Sequence, residues 1–186
     1  MALLVNFGSV IGLGAFFVQA QALTVEAFLA TLPLGIMLFS MIVINEIPDI
    51  EEDRAAGKLT LVARFGRRAG AKLYVASWVT TYAVIVGSIA FRVLPVYTLL
   101  ALVSLPLVLR SVKTLQANYE NPIKLAPANL DMIKAHSVAS FGLIAGYAAQ
   151  GLLNGADPLQ LAFVLAVLAM AYAPVAITLL KSPKRN

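Results

Sequence analysis

Cysteine is absent from these 186 residues, and histidine occurs once, at His136. Those absences exclude disulfides, thiolate catalysis, Cys-based metal or iron–sulfur sites and any His-rich metal centre. Charge is scarce as well. Only 12% of residues are charged, against roughly 25% in a soluble domain. What replaces charge is apolar: 60% of the chain is hydrophobic and its mean hydropathy is +0.86. The sequence also lacks a nucleophile–histidine pair, a phosphate-binding glycine loop and any nucleic-acid module, so no nucleic-acid partner is expected. It holds no low-complexity tract and no repeat with a period of about 20–50 residues. Such a chain reads as all-α, a polytopic transmembrane helical bundle.

Six spans are expected, over residues 3–20, 28–44, 73–91, 93–109, 137–153 and 159–180. A hydrocarbon core about 30 Å thick takes roughly 17–25 helical residues. The spans follow one another with short connections, so residues 1–186 read as a single domain. Only Arg92 to Pro95 separate the third and fourth, which predicts a tight hairpin. Of the 14 Lys and Arg residues, six follow span two (Arg54 to Lys72), four follow span four (Arg110 to Lys134) and three lie in the tail (Lys181, Lys184, Arg185). The opposite connections carry only Arg92. By the positive-inside rule both termini face the cytoplasm of an integral membrane protein, with the cell inner membrane as the expected location. Ala20-Gln21-Ala22 imitates a signal-peptide cleavage site, but no basic residue precedes the first apolar run, which favours a retained helix. Gly8 with Gly12, and Gly142 with Gly146, have the four-residue spacing that lets membrane helices approach closely.

Five of the nine acidic residues sit between Glu46 and Asp53. They leave directly from an apolar run, and a carboxylate in hydrocarbon costs about 2.5–3.5 kcal/mol on insertion scales. The cluster must therefore reach the interface, find a cation, or both. Positions four apart on a helix are offset by about 40°, so Asn45, Asp49 and Asp53 climb one face, Glu46 and Glu52 lie near it, and Glu51 points away. Oxygen-bearing side chains so placed suit Mg²⁺, which takes one or two carboxylates and completes its shell with water and phosphate oxygens. Pro48 interrupts or restarts the helix. Gly57 ends the following helical turn, after which Lys58 and Arg64 are placed to close over an anion. The basic residues have a competing role as an interfacial charge belt that fixes topology and binds lipid headgroups.

Asn45-x3-Asp49-x3-Asp53, followed by Arg54-Ala-Ala-Gly57-Lys58-x-Thr60, resembles the second aspartate-rich motif of the UbiA superfamily of intramembrane prenyltransferases. Phe7-Gly8 to Gln19, Leu32-Pro33-Leu34-Gly35, Arg64-Phe65-Gly66-Arg67 and Ser104-Leu105-Pro106-Leu107 are similar to the flanks of that motif in the 1,4-dihydroxy-2-naphthoate prenyltransferase branch. The resemblance implies a helical bundle of about nine spans, in which two aspartate-rich motifs face each other and hold the diphosphate of a polyprenyl donor through Mg²⁺. It makes Asp49 and Asp53 the catalytic metal ligands and Asn45 a metal or diphosphate partner. Arg54, Lys58 and Arg64 become diphosphate contacts. The implied function is polyprenyl transfer from a polyprenyl diphosphate to an aromatic, naphthoate-type acceptor in quinone biosynthesis. The family's other acidic motif does not occur in this sequence, so the resemblance implies that about four N-terminal helices are missing. The last span, 159–180, has no counterpart in that scheme.

Alternatives remain at this point. A glycerol phosphate or tetrapyrrole acceptor would fit the same donor chemistry. A truncated, non-catalytic membrane subunit would bind metal and lipid diphosphate without turnover. The Asp-Gly-x2-Ala-Arg element of CDP-alcohol phosphotransferases is not present. His136, at the start of span five, is either structural or an acceptor-orienting group. The connection from Ser111 to Met132 reads either as a solvated loop or as a cover for the site mouth, and Trp78, Tyr74 and Tyr82 as packing or interface aromatics.

Overall fold

Lipid leaves a backbone two ways to satisfy its polar groups, and this chain takes the helical one. The computed structural model describes residues 5–181; the first residues of span one, with Lys184 and Arg185 of the basic tail, lie outside them. Helix α1 starts π-helical at Val5–Ile11 and continues as regular helix over Gly12–Ala20. The next elements are α2 (Val25–Glu46), α3 (Ile50–Ala55), α4 (Leu61–Phe65) and α5 (Arg67–Ala90). Helix α6 begins 3₁₀-helical at Val96–Ser104 and becomes α-helical over Leu105–Asn118. After a 3₁₀ turn at Pro122–Leu125 come α7 (Ala126–Leu153) and α8 (Pro158–Lys181).

Among the described residues each of the six expected spans is largely helical. Val25–Glu46, Arg67–Ala90 and Val96–Asn118 are long and apolar enough to cross a membrane by length and composition, with shorter apolar helices at Gly8–Ala20 and Pro158–Met170. The fifth expected span is the C-terminal part of α7. The helices overrun the apolar segments because polar residues can extend them beyond the hydrocarbon. The hairpin between α5 and α6 is tight: Arg92 is left-handed at φ 58°, and the Val93 and Leu94 amides both donate to the Ser88 carbonyl.

α2 and α7 form the centre. α2 packs on α5 and on the start of α1, α7 packs along both halves of α6, and the two also touch each other. Met37, Ile44, Ile47, Tyr74, Trp78, Leu115 and Met132 are fully or almost fully buried between them, so Tyr74 and Trp78 are packing residues. Outward-facing Val79, Val86, Val103 and Leu109 are exposed, as expected of a bundle whose solvent is lipid. Several polar side chains within the helices find partners there: Ser77 and Thr81 donate to carbonyls four residues back, and Tyr82 pairs with Ser104 of α6 at 2.8 Å.

The glycine pairs act in packing. A Cβ added to Gly142 would lie 2.5 Å from the Ala101 nitrogen, and one on Gly146 would lie 2.6 Å from Thr98 backbone. Backbone-to-backbone approach of this kind brings the 3₁₀ segment of α6 onto α7, and any side chain would force the helices apart. Gly8 meets Gly35 of α2 in the same way, at 2.7 Å.

The connection from Ser111 to Met132 is not a solvated loop. Helix occupies most of it, and Ser111, Leu115, Leu125, Ala128, Asp131 and Met132 are buried. Apolar residues at helical spacing draw it into the core, and its polar residues find partners there.

Candidate functional site

At the end of α2 the helix breaks where Pro48 requires it, with residues 47–49 forming a turn before α3 restarts at Ile50. Ile47 and Ile50 are buried at 0% and 2% exposure. They pin the turn to the core, so that Asn45, Asp49, Glu51 and Glu52 face outward and are exposed. Asp49 is the N-cap residue of α3 but makes no side-chain capping bond, which leaves its carboxylate free of that duty. The Asp53 amide donates to the Asp49 carbonyl at 2.8 Å; the two aspartates are thus one helical turn apart on the same side, as their spacing requires.

α3 then ends in a Schellman motif. Gly57 takes the left-handed conformation at φ 72°, the Gly57 amide donates to the Arg54 carbonyl at 3.0 Å, and the Lys58 amide donates to the Asp53 carbonyl at 2.8 Å. This reversal returns Lys58 to the acidic face. Its Nζ donates to both Asp53 carboxylate oxygens, at 3.1 and 3.2 Å. The Asp53 side chain is 13% exposed and that of Lys58 63% exposed, so the lysine can leave without exposing core.

The other basic residues divide. Arg54 donates through Nε to the Ala63 carbonyl at 2.8 Å, while Thr60 caps α4 by accepting from the Ala63 amide at 3.1 Å; together they tie α3 to α4. Arg64 is exposed and borders a pocket of about 260 Å³ with Glu46, Thr60 and Leu61. Arg67 pairs with Glu51 at 3.3 Å. Among the described residues no group of three or more His, Cys, Asp and Glu side chains forms a metal cluster. The ladder supplies two carboxylates and an amide oxygen. That partial donor set fits Mg²⁺, which leaves several positions to water and phosphate.

Two contacts at this end were not legible beforehand. Asn129, in the first turn of α7, donates from Nδ2 to the Asn45 side-chain oxygen at 2.9 Å, across 84 positions. Arg110 grips Asp131 with two bonds, at 2.6 and 2.5 Å. Each pair joins helices whose neighbourhood the sequence does not state, although Pro127 marks the helix start that carries Asn129 and Asp131.

Beside the ladder, towards the membrane, lies an apolar cavity of about 700 Å³ between α2, α7 and α8, lined by Leu34, Leu38, His136, Ser140, Leu143, Tyr147, Leu161 and Leu165 among others. Leu38 lies two turns before Asn45, and His136 two turns after Asn129, so the cavity begins about 10 Å along the same two helices. Ser140 is 5% exposed, and its hydroxyl has no partner. His136 is half-buried. It lines this cavity rather than reaching the acidic ladder.

An acidic ladder with its own lysine, set at the end of a bundle of apolar helices beside an apolar cavity, defines an integral membrane protein. The UbiA prenyltransferase family matches residues 1–131, and the chain belongs to that family. It is 27% identical over 144 residues to the 1,4-dihydroxy-2-naphthoate octaprenyltransferase of Bacillus subtilis (strain 168), covering 75% of this chain and 46% of that protein. It is 23% identical over 149 residues to the 2-carboxy-1,4-naphthoquinone phytyltransferase of Synechocystis sp. (strain ATCC 27184 / PCC 6803 / Kazusa), covering 80% of this chain and 48% of that protein. The chain thus spans about half the length of the relatives it matches. No solved structure matches it significantly.

Proposed function

We propose that this chain forms the second-motif half of a Mg²⁺-dependent membrane prenyltransferase that moves a polyprenyl group from its diphosphate to a naphthoate-type aromatic acceptor in quinone biosynthesis. The observation that carries the reading is the continuity of two chemistries on α2 and α7. An oxygen-rich ladder with Lys58 stands at one end, and an apolar cavity of about 700 Å³ begins two turns further in. A polyprenyl diphosphate has that same division, a charged head and a long apolar tail. The names of both relatives, a naphthoate octaprenyltransferase and a naphthoquinone phytyltransferase, favour the naphthoate-type acceptor.

In this reading Asp49, Asp53 and Asn45 hold Mg²⁺, which supplies charge neutralisation for a departing diphosphate. Lys58 moves from Asp53 to a diphosphate oxygen, and Arg64 and the guanidinium of Arg54 add positive charge beside it. The donor's C–O bond breaks with its electron pair leaving on diphosphate, and an aromatic carbon of the acceptor captures the allylic cation and then loses a proton. Apolar walls along α7 exclude water, which would otherwise compete for that cation. The family resemblance sets a second acidic motif opposite this one, so the reading assigns that motif to an N-terminal half outside this sequence. The acidic face is cytoplasmic, on the side where the basic residues gather.

The test is a Mg²⁺-dependent transfer assay in membranes, using several prenyl diphosphates and aromatic acceptors, with and without co-expression of an N-terminal half bearing the other motif. Prenylated naphthoate formed only with both halves and Mg²⁺ is the expected result. Donor-independent or metal-independent product would reject the proposal.

A further inference from the structure

Among the described residues, the hydrogen bond from Asn129 to Asn45 ties the ladder's side chains to α7, and the turn bearing Asn129 is fixed on both sides. The Ser111 hydroxyl donates to the Ala128 carbonyl at 2.8 Å and meets the buried Tyr74 hydroxyl at 2.7 Å. Two residues on from Asn129, Asp131 is held by Arg110 at 2.6 and 2.5 Å. Asn45, by contrast, is an exposed side chain in the last turn of its helix, where nothing on α2 itself restrains its amide.

We propose that Asn129 is a positioning residue for the acidic ladder: its amide, anchored through α6 and α5, holds the Asn45 oxygen in the orientation that meets the metal-bound diphosphate. The inference rests on the reading of Asn45 as a metal or diphosphate partner. An amide oxygen has two acceptor directions, so the bond from Asn129 occupies one and leaves the other for a ligand. Groups that orient a ligating side chain in this way typically change metal affinity about 10–100-fold when removed.

A double-mutant cycle on the full chain, purified in detergent, separates this role from ordinary packing. The readout is the concentration of a non-reactive polyprenyl thiolodiphosphate that gives half-maximal thermal stabilisation in the presence of Mg²⁺. Asn45→Ala and Asn129→Ala should each raise it about tenfold, and the double variant should raise it no further than Asn45→Ala alone. Losses that multiply would overturn the proposal, because Asn129 would then act by a route independent of Asn45. So would an unchanged Asn129→Ala beside a weakened Asn45→Ala, with the functional reading left standing. If Asn45→Ala and Asp49→Ala both bind normally, the reading of the ladder fails and this inference with it. Should Asn129→Ala not fold, Asn129→Ser enters the same cycle and is judged by the same non-additivity.

Discussion

Two polar regions meet at one end of this bundle, and they use charge in opposite ways. Between α6 and α7, Asp131 is 6% exposed and fully engaged by Arg110, and Ser111 joins Tyr74 to the Ala128 carbonyl. Between α2 and α4, Asp49 and Glu52 stand exposed, and Asp53 has a partner on a mobile-length side chain that is itself 63% exposed. The first region spends its polar groups on holding helices together. The second sets Asp49 and Glu52 at the surface and pairs the largely covered Asp53 with an exposed lysine that can be exchanged.

The sharpest way to break that contrast is to remove either aspartate of the second region. Asp49→Ala or Asp53→Ala should abolish Mg²⁺-dependent prenyl transfer in the complete enzyme, a loss of at least about 100-fold, while the melting temperature barely moves. Radiolabelled donor in membranes measures the first and thermal unfolding the second. Retained activity in both variants would count decisively against the assignment.

The packing of α6 on α7 should fail next. Gly146→Ala places a methyl 2.6 Å from the Thr98 backbone, where no flexible side chain can yield, and should cost about 1–3 kcal/mol as overpacking. A shift in thermal unfolding in detergent reads it. Wild-type stability would mean that α6 and α7 do not approach this closely.

The Arg110–Asp131 pair gives an asymmetric prediction. Its arginine side chain is 61% exposed and its aspartate side chain 9% exposed. Arg110→Ala therefore leaves a carboxylate buried without its cation, which should cost about 1–3 kcal/mol. Asp131→Asn leaves an arginine that water can still reach, and should cost less. Equal losses would show that the pair is screened as a surface bridge is.

The difference between the regions also explains what the sequence could disclose. Lipid imposes the helices, so the six spans are legible as apolar runs, and the positions of Pro48 and Gly57 announce the break and the reversal that shape the ladder. Asp49 and Asp53 are four apart within one helix, and a contact of that kind needs no knowledge of topology. The segment from Ser111 to Met132 misleads for the complementary reason. Asp131 and Arg110 look solvated until the partner 21 positions away is known, and the hydrogen bond from Asn129 to Asn45 depends on α7 returning to the end of α2. Arg54 is a milder case: its guanidinium reads as an anion contact, but its Nε is already committed to the Ala63 carbonyl, so part of its positive charge also serves the local fold.

Lys58 supplies the finest test, because it belongs to both plans at once. It pairs with Asp53 as Arg110 pairs with Asp131, yet its own side chain is 63% exposed and its position is set by a backbone reversal at Gly57 rather than by core packing. Were the ion pair structural, Lys58→Ala would lower stability and leave substrate kinetics alone. If the lysine instead transfers to an incoming diphosphate, the loss belongs to ground-state binding. Donor KM should then rise several-fold, on the order of 1 kcal/mol, with kcat reduced less and the melting temperature nearly unchanged. An unaltered donor KM in that variant would reject the role for Lys58 and return the Asp53 pair to the structural class, leaving Asp49 and Asn45 to carry the anion's metal without a lysine beside them.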